Sequence, residues 1–589
     1  MADSRPADTD NRSIQRERWL VMVSLAFFAA LYAIHVAGTT FRNGGRLTGT
    51  LFDDALISLR YAQNFVNGYG LVWNPGEQPP VEGYTNLGWT LVMALVAAVA
   101  PHDIAPIGVS LAGGAVLVAS GLVAWSLLQT IGASRSYRLA GTLLVLASYP
   151  TVFWTLRGME VGLLSLLLLV ALRFVMLPRD RRPASQTLLP VSSLAGIAVL
   201  VRNDAAVLFI PLLVYAAWRH ERFRHALAAI LPLTVCALAQ VIFRYVYYQE
   251  LAPNTYVLKM TGVATGERLA AGFVALVDTL PPIAPATLLI GVAAFATRVP
   301  RTIRDFSRLV LAILAMQWAY LVYIGGDAWL INYSSRFIAA VMPMLLVAAV
   351  AAVPACVEVF SRSSMAAIRF ATASLLLLVA LGLKHPHTIG PGTQWLVLVG
   401  WLIVLSVAAH AFLPALGPIL ARDRAMAATA LGLFLVTSAH GWLGWARYHA
   451  AKAPDDIAFA RLGLMLRDRL PPDAVVAAGW VGAPAYFSRL KAIDLLGKTD
   501  PYVARAPVTG EFRPGHNKMD LDHSIGRLRP DVVVTDDPAL SRYGYDRQPN
   551  GLWIRHDSPV MRDTANLTAS WCNDPSDSVY CPNTPVASR

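Results

Sequence analysis

Two adjacent acidic residues, Asp53 and Asp54, stand in a polar stretch between the first two apolar runs of the chain. A carboxylate at a membrane boundary can act as a general base toward a hydroxyl group or as a ligand for a metal ion. A structural role is the alternative, because residues 55–66 have the pattern of an amphipathic helix and Asp at a helix start accepts hydrogen bonds from free backbone N–H groups. The sequence of the pair leaves both roles open.

The polar stretch around the pair, residues 40–85, is rich in side chains that form hydrogen bonds or stack on sugar rings. They include Arg60, Trp73, Glu82 and Tyr84, and Asn86 follows directly. This concentration beside an apolar run favours a binding site over a simple connection.

Charged residues also interrupt later apolar runs, at Arg157 and Glu160 and again at Arg202 and Asp204. Charges at membrane depth are costly unless they pair with one another or face a cavity. Internal ion pairing explains each site taken separately. Together the sites predict a polar cavity inside the helical part of the chain.

Three more charged residues, Lys259, Asp327 and Arg336, stand at the outward ends of later runs. A cation there could hold a lipid phosphate, although contact with ordinary headgroups is the commoner use of Lys and Arg at this depth.

The composition indicates what must position these residues. The chain has 589 residues, of which 56% are hydrophobic and 15% charged, with a mean hydropathy of +0.49. These values exclude a disordered chain and an array of soluble domains. The net charge of +12 lies mostly in short Arg clusters between apolar runs, which favours a topology signal over a nucleic-acid partner.

Fourteen apolar segments are predicted, and the Arg clusters place residues 1–18 in the cytoplasm as a tail and the loop 40–85 outside. Fourteen crossings from that start would return the C-terminus to the cytoplasm, so we expect 11–13 spans within a transmembrane domain at 19–446. The segments are 19–39, 86–100, 105–130, 139–156, 160–177, 188–202, 204–218, 226–248, 282–298, 309–325, 337–359, 366–384, 394–413 and 425–446.

The last part of the chain, 447–589, changes to Asp-, Pro- and Arg-rich sequence. A helix at 455–469 and strands within AVVAAGW and DVVVTDD predict a small soluble α/β domain outside the cytoplasm. Cys572 and Cys581 are predicted to form a disulfide there, whereas Cys236 and Cys356 lie in apolar runs as buried thiols. The absence of CxxC and HExxH motifs argues against a structural zinc site.

The order of these motifs resembles a known superfamily. DD, GxGxVxNPGE, VEGYTN, GME, VRND, YYxxxxPNT…K and GGD…R follow one another as in the C-type integral-membrane glycosyltransferases, which use polyprenyl-phosphate sugars outside the cytoplasm. In the tail, AIDLLGKTDPYVAR, GHNK and RPDVVVTDD are similar to the mycobacterial terminal arabinofuranosyltransferases that cap cell-wall arabinan and to related pilin arabinosyltransferases.

The resemblance implies a polytopic α-helical membrane protein of the C-type glycosyltransferase fold with a small α/β tail domain. It implies transfer of D-arabinofuranose from a polyprenyl phosphate to a hydroxyl of a glycan or glycoprotein acceptor, at the periplasmic face of a bacterial inner membrane. Membrane lipids are the surroundings, and no nucleic acid is involved.

The resemblance also assigns roles to residues. Catalysis falls to Asp53 and Asp54, with Asp53 as the principal group. It places Glu160, Arg202, Lys259, Asp327, Arg336, His516 and Lys518 in the donor site. From the side-chain types of the loop we expect Arg60 to bind the donor as well, and Trp73, Glu82, Tyr84 and Asn86 to bind the acceptor.

Two departures from the family pattern bear on substrate identity: Arg-Pro-Glu becomes Arg202-Asn203-Asp204, and the stretch between Gly-Gly-Asp and the next Arg, AWLINYSS, is longer. Alternatives are transfer of a hexose within the same superfamily and transport of lipid-linked sugars, although a transporter should show internal repeats. A divalent cation at Asp53 and Asp54 is possible, but no metal signature accompanies them, and a metal-free site is favoured.

Overall fold

The computed structural model describes residues 6–178, 185–219, 223–329, 335–363, 368–374, 394–409, 422–448, 453–510, 512–535, 537–548, 550–558 and 560. Long helices dominate its first three quarters. They are α1 Pro6–Ala37, α2 Asp53–Val66, α3 Leu87–Val99, α4 Ala105–Thr130, α5 Arg135–Ala147, α6 Tyr149–Leu156, α7 Val161–Met176, α8 Ser185–Val201, α9 Ala206–Arg219, α10 Phe223–Tyr248, α11 Asn254–Met260, α12 Thr265–Phe295, α13 Arg301–Tyr323, α14 Arg336–Arg362, α15 Gln394–Ala409, α16 Arg422–Phe434 and α17 His440–Tyr448.

Seven of the described helical segments are long and apolar enough to cross a membrane, and α5 with α6, bent by 43°, would make an eighth. Four shorter apolar helices accompany them, within α3, α7, α8 and α15. The predicted polytopic helical class is therefore confirmed, whereas the total of 11–13 spans stays a prediction. Most of the expected segment 366–384 lies outside the described residues.

One segment begins much earlier than expected. Helix α12 starts at Thr265, whereas the predicted apolar segment begins at residue 282, so the stretch 265–281 is helical as well. The stretch reads as polar because of charged residues such as Arg268, but this guanidinium is buried and lies 5.4 Å from the ring of Tyr323 in α13. The helix also continues through Pro281, Pro282 and Pro285, which packing against neighbouring helices makes tolerable in a membrane.

Helix α14 is the centre of the membrane domain. Of its most apolar 18-residue window, 94% is buried inside the protein, and α7, α12 and α13 pack around it. A helix that is apolar on all sides is expected at such a position. Its first residue, Arg336, therefore lies at the N-terminal end of a helix that is almost wholly enclosed by the protein.

The segment between α1 and α3 folds as a hairpin and a helix. Strands β1 Thr40–Asn43 and β2 Arg46–Gly49 pair antiparallel, and α2 then begins at Asp53 itself. Its N-cap residue, Phe52, makes no side-chain cap bond. The structure therefore does not show the acidic pair as a cap of α2. Both acids lie in the first turn of the helix, and their carboxylates contact other parts of the chain.

The tail folds as the predicted α/β domain. Its helices are α18 Ala453–Arg469, α19 Gly482–Ser488 and α20 Pro501–Arg505, and its strands are β3 Val475–Ala478, β4 Lys491–Asp494, β5 Val532–Val534, β6 Tyr545–Arg547 and β7 Trp553–Arg555. The strand order is β4-β3-β5-β7-β6, with β4, β3 and β5 parallel and the last two pairings antiparallel.

The structure describes two of the four cysteines. Cys236 and Cys356 are free thiols, half-buried and buried respectively. Cys572 and Cys581 lie outside the described residues, so their disulfide stays a prediction.

The predicted topology can be tested by single-cysteine labelling of intact cells. In a chain without its native cysteines, Lys491→Cys in the tail domain should react with an impermeant thiol reagent, whereas Arg301→Cys at the start of α13 should react only after permeabilisation. Both positions are exposed, so access to the reagent depends on the side of the membrane. Labelling of Arg301→Cys but not of Lys491→Cys in intact cells would mean that the predicted topology is inverted.

Candidate functional site

The turn after α6 positions the acidic pair. The carbonyl of Arg157 accepts a hydrogen bond from the N–H of Phe52 at 3.0 Å, and the Arg157 side chain pairs with Asp456 of α18. Gly158 has a φ of 89° and packs so tightly against Leu51 that a side chain there would clash. The start of α2 is therefore fixed both to the membrane bundle and to the tail domain.

The carboxylate of Asp54 lies between two cations from distant parts of the sequence. Its Oδ2 is 2.8 Å from a guanidinium nitrogen of Arg336, and its Oδ1 is 2.6 Å from Nζ of Lys498. Burial alone would raise the pKa of Asp54, but these two cations hold it far below its ordinary value. Asp54 is accordingly a carboxylate anion in this structure.

The guanidinium of Arg336 is anchored by the carboxylate of Asp327. The guanidinium donates to both oxygens of that carboxylate, at 3.2 and 3.1 Å. Although burial opposes ionisation, Arg336 also lowers the pKa of Asp327. Bidentate pairing of this kind fixes the orientation of a guanidinium, so Arg336 presents its remaining nitrogen to Asp54 in a defined direction.

Asp53 points elsewhere. It is 8% exposed, and its Oδ1 accepts a hydrogen bond from the N–H of Ala483, in the first turn of α19, at 2.9 Å. Gly482 approaches the backbone of Asp53 so closely that a Cβ there would collide with it. Burial raises the pKa of Asp53 to about 6, against the opposing effect of Lys498.

A polar cavity opens beside Asp54. Its volume is about 160 Å³, more than ten times the roughly 10–15 Å³ that one water molecule requires. Eight of the fourteen predicted site residues line it: Asp54, Tyr84, Asn86, Glu160, Arg202, Lys259, Arg336 and His516. The predicted polar cavity therefore exists.

One wall of the cavity is a hydrogen-bonded chain. Ser58 donates to Asn86 at 2.9 Å, Asn86 donates to Glu160 at 3.0 Å, and Arg202 pairs with Glu160 at 2.5 Å and with Asp204 at 2.7 Å. The ion pairing expected at the two interrupted runs is real, and it joins them to each other. These carboxylate and amide groups could bind the hydroxyls of a sugar.

Two further cavity residues are Lys259, in the short helix α11, and His516, in a turn of the tail domain. Burial, reinforced by Arg336, lowers the pKa of Lys259 to about 8, and its Nζ lies 6.0 Å from the ring of Phe337. Burial, followed by the effect of Lys498, lowers the pKa of His516 to about 3. His516 is thus a neutral residue at the boundary between the domains, and Lys259 remains mostly charged at neutral pH.

Six of the predicted site residues lie outside the cavity lining. They are Asp53, Arg60, Trp73, Glu82, Asp327 and Lys518. Asp327 still acts on the site through Arg336. The others are held by hydrogen bonds within the protein.

Arg60 and Trp73 join the outward loop to the tail domain. Arg60 donates to the carbonyls of Trp73 and Leu490, at 2.9 and 2.8 Å, and the Trp73 indole donates to the carbonyl of Ala492 in β4 at 2.8 Å. Their expected roles in donor and acceptor binding have no support in this placement. A binding site and a docking surface use the same polar and aromatic residue types, so composition alone does not separate them.

Glu82 and Lys518 also have partners within the protein. Glu82 forms a buried ion pair with Arg244. Lys518 donates to Thr261 at 2.9 Å and to the carbonyl of Ala504 at 2.6 Å, which ties the GHNK segment to the connection after α11.

Among the charged residues that line the described cavity, Lys498 is the one that the sequence did not single out. It stands in GKTD, within the tail segment that resembles arabinofuranosyltransferases, but the spacing of that segment gives no sign of a partner 444 residues away. The family resemblance of the segment was the available signal. The consequence is that the tail domain contributes a side chain to the cavity.

The described residues contain no group of three or more His, Cys, Asp or Glu side chains that could hold a metal ion. At the acidic pair, both oxygens of Asp54 already contact cations, and Asp53 is turned toward α19. In this arrangement the carboxylate of Asp54 is paired with side-chain cations, and a divalent cation at the pair stays a prediction.

Comparison with known sequences supports the resemblance of the motifs. Residues 446–580 match a family described as a domain of unknown function, DUF8728. The chain is also 31% identical over 244 residues to the terminal beta-(1->2)-arabinofuranosyltransferase of Mycobacterium tuberculosis. This match spans 38% of the chain and 36% of the relative, and the suspected resemblance to that enzyme is thereby confirmed.

Comparison with solved structures gives distant similarities. ArnT from Cupriavidus metallidurans bound to undecaprenyl phosphate matches over 80% of the chain and 85% of its own, with 14% identity and a TM-score of 0.47. The apo form of the Archaeoglobus fulgidus oligosaccharyltransferase matches over 88% of the chain and 69% of its own, with 9% identity and a TM-score of 0.46.

The burial of Asp53 predicts a pH-dependent effect of Asp53→Asn on stability. The pKa is about 6 in the folded protein and about 4 in an unfolded chain, so the folded state binds the proton more tightly. Stability of the wild type therefore falls as pH rises from about 4 to about 6. Asn resembles the protonated acid, so the variant should be more stable above pH 6, by at most about 3 kcal/mol, and equal to wild type below pH 4.

Thermal unfolding of purified protein measures this difference. Asp468→Asn, at a side chain that is 57% exposed, is the control and should show no such trend. A variant less stable than wild type at every pH would mean that the charged form of Asp53 stabilises the fold.

Proposed function

We propose that the chain is an integral-membrane glycosyltransferase that moves D-arabinofuranose from a polyprenyl phosphate to a hydroxyl group of a glycan or glycoprotein. The observation that carries this proposal is the cavity in which Asp54 meets cations contributed by the membrane bundle and by the tail domain. We further propose that the cavity faces the periplasm of a bacterial inner membrane.

The charges of the cavity suit a lipid-linked phosphate. Four cations line it, namely Arg202, Lys259, Arg336 and Lys498. Among the described residues, Lys259 forms no ion pair with a carboxylate, in contrast to the other three. An ammonium that faces a cavity without an ion-pair partner favours an anionic ligand, because an anion offsets the cost of removing the charge from water.

The chemistry requires one base and stabilisation of one leaving group. The acceptor hydroxyl attacks the anomeric carbon, the bond between that carbon and the phosphate oxygen breaks, and the electron pair stays on the polyprenyl phosphate. The hydroxyl proton goes to a carboxylate, and we assign this role to Asp54, the member of the acidic pair that lines the cavity. Cations at the phosphate stabilise the charge that develops there.

A pentofuranose is favoured over a hexose by the relative alone. The matched enzyme is named a terminal arabinofuranosyltransferase, and the match extends over about a third of its length. The wall formed by Asn86, Glu160 and Arg202 offers acceptors and donors to sugar hydroxyls in either case.

Exchange of each acid for its amide should separate the two members of the pair. Asp54→Asn keeps the shape of the side chain but lacks the base, so the transfer rate at saturating donor should fall by about a hundred- to ten-thousand-fold. Asp53→Asn should lose less, because its carboxylate lies outside the cavity.

The assay is single-turnover transfer by folded variants in detergent or nanodiscs, with exposed Asp468→Asn as the control. A collapse in Asp53→Asn with near-normal Asp54→Asn would return the chemistry to Asp53, and two active variants would defeat both assignments.

Replacement of Lys259 should weaken binding of the donor more than binding of the acceptor. Lys259→Met should raise the KM of the polyprenyl-phosphate donor by roughly ten- to a hundredfold, since hydrogen bonds to charged groups are worth about 1.5–3 kcal/mol. The KM of the acceptor should change little. Lys491→Met, at an exposed position of β4, is the matched control, and an unchanged donor KM in Lys259→Met would remove this residue from the phosphate site.

A further inference from the structure

The two cations that contact Asp54 are held in different ways. Arg336 is anchored by Asp327 through two hydrogen bonds in addition to its bond to Asp54. For the ammonium of Lys498, the ion pair with Asp54 is the close contact, and the ring of Trp480 lies 6.0 Å away. A planar guanidinium held bidentately is fixed, whereas an ammonium on a four-carbon stem can turn to a new partner.

The backbone of Lys498, by contrast, is firmly placed. Its carbonyl accepts a hydrogen bond from Asn254 at 3.0 Å, and the next N–H, of Thr499, donates to Asp494 at 2.9 Å. The stem of Lys498 therefore starts from a fixed point on the cavity wall. Movement of its ammonium needs no movement of the tail domain.

The double pairing of Asp54 poses a chemical difficulty for the proposed base. A carboxylate that neutralises two cations binds a proton weakly, so it is a poor acceptor for the proton of a hydroxyl group. An anionic phosphate that enters the same cavity competes with Asp54 for those cations. Of these two cations, Lys498 has fewer other contacts than Arg336, so the phosphate would attract Lys498.

We propose that Lys498 is an exchangeable counter-ion, which leaves Asp54 for the phosphate of the lipid-linked donor and so makes Asp54 competent as a base only when donor is bound. This inference rests on the proposed function. Arg336 stays on Asp327 and Asp54 throughout and keeps the carboxylate in position.

The exchange places each charge where the transfer requires it. In the donor complex the ammonium of Lys498 lies at the phosphate, whose oxygen receives the electron pair of the breaking anomeric bond. The acceptor hydroxyl forms the new bond to the anomeric carbon and gives its proton to Asp54. When polyprenyl phosphate departs, Lys498 returns to Asp54, and the proton is released to solvent.

A double-mutant cycle on binding tests the exchange without any turnover. The dissociation constant of undecaprenyl phosphate is measured for wild type, Asp54→Asn, Lys498→Met and the double variant. If Asp54 and the phosphate compete for Lys498, Asp54→Asn should tighten binding at least several-fold in the presence of Lys498. The same change in the Lys498→Met background should have a clearly smaller effect, which reports only the loss of charge repulsion.

Two single variants show whether the effect on binding is specific to Lys498. Lys498→Met alone should weaken binding by roughly ten- to a hundredfold, and Lys491→Met should leave it unchanged. If Lys498→Met does not fold, Lys498→Gln takes its place, because its amide can still donate to Asp54.

The outcomes separate this inference from the proposed function. An equal effect of Asp54→Asn in both backgrounds, with normal transfer by the wild type, would overturn the exchange and leave the glycosyltransferase proposal intact. Absence of undecaprenyl phosphate binding by the folded wild type would overturn the lipid-phosphate donor and the exchange together.

Discussion

The ion pairs of Asp54 are the interaction on which the arrangement of the site depends. They join the first outward helix to α14 and to the tail domain, across 282 and 444 residues of sequence. Removal of such a carboxylate from water costs several kcal/mol, which only close pairing offsets. The cavity therefore has its observed charge arrangement only while the tail domain is docked, and the tail domain is part of the site itself.

The residues around the site form two groups. One group holds the tail domain in place, and the other faces the cavity. Arg60 and Trp73 join the outward loop to β4, and Asp53 accepts from α19, so all three serve the docking of the tail domain. Glu160 and Lys259 face the cavity. The residue types in the two groups are similar, which is why the loop 40–85 looked like one continuous binding surface in the sequence.

Much of the fold was accessible from sequence because apolar run length and strand alternation are local signals. Helix α18 and strands β3 and β5 lie where their patterns placed them. The start of α12 was missed because the burial of Arg268 depends on Tyr323 in the next helix. Local patterns carry no information about such a partner.

The site was predictable to a similar degree. Charged residues at membrane depth correctly indicated a cavity, because a charge at that depth is costly unless it pairs with another charge or faces a polar space. Which way each carboxylate of the acidic pair points was not predictable, since contacts with Ala483 and Lys498 decide it. Both contacts come from a domain more than 400 residues later in the chain.

Product analysis with a defined donor is the most direct test of the central claim. Purified protein would be incubated with polyprenyl-phosphate arabinofuranose and candidate glycan acceptors, and mass spectrometry would read the acceptor mass. The account predicts the gain of pentosyl units together with release of polyprenyl phosphate. A gain of hexose from a hexosyl donor alone would contradict the sugar assignment, and folded protein that modifies no acceptor with either donor would contradict the proposed function.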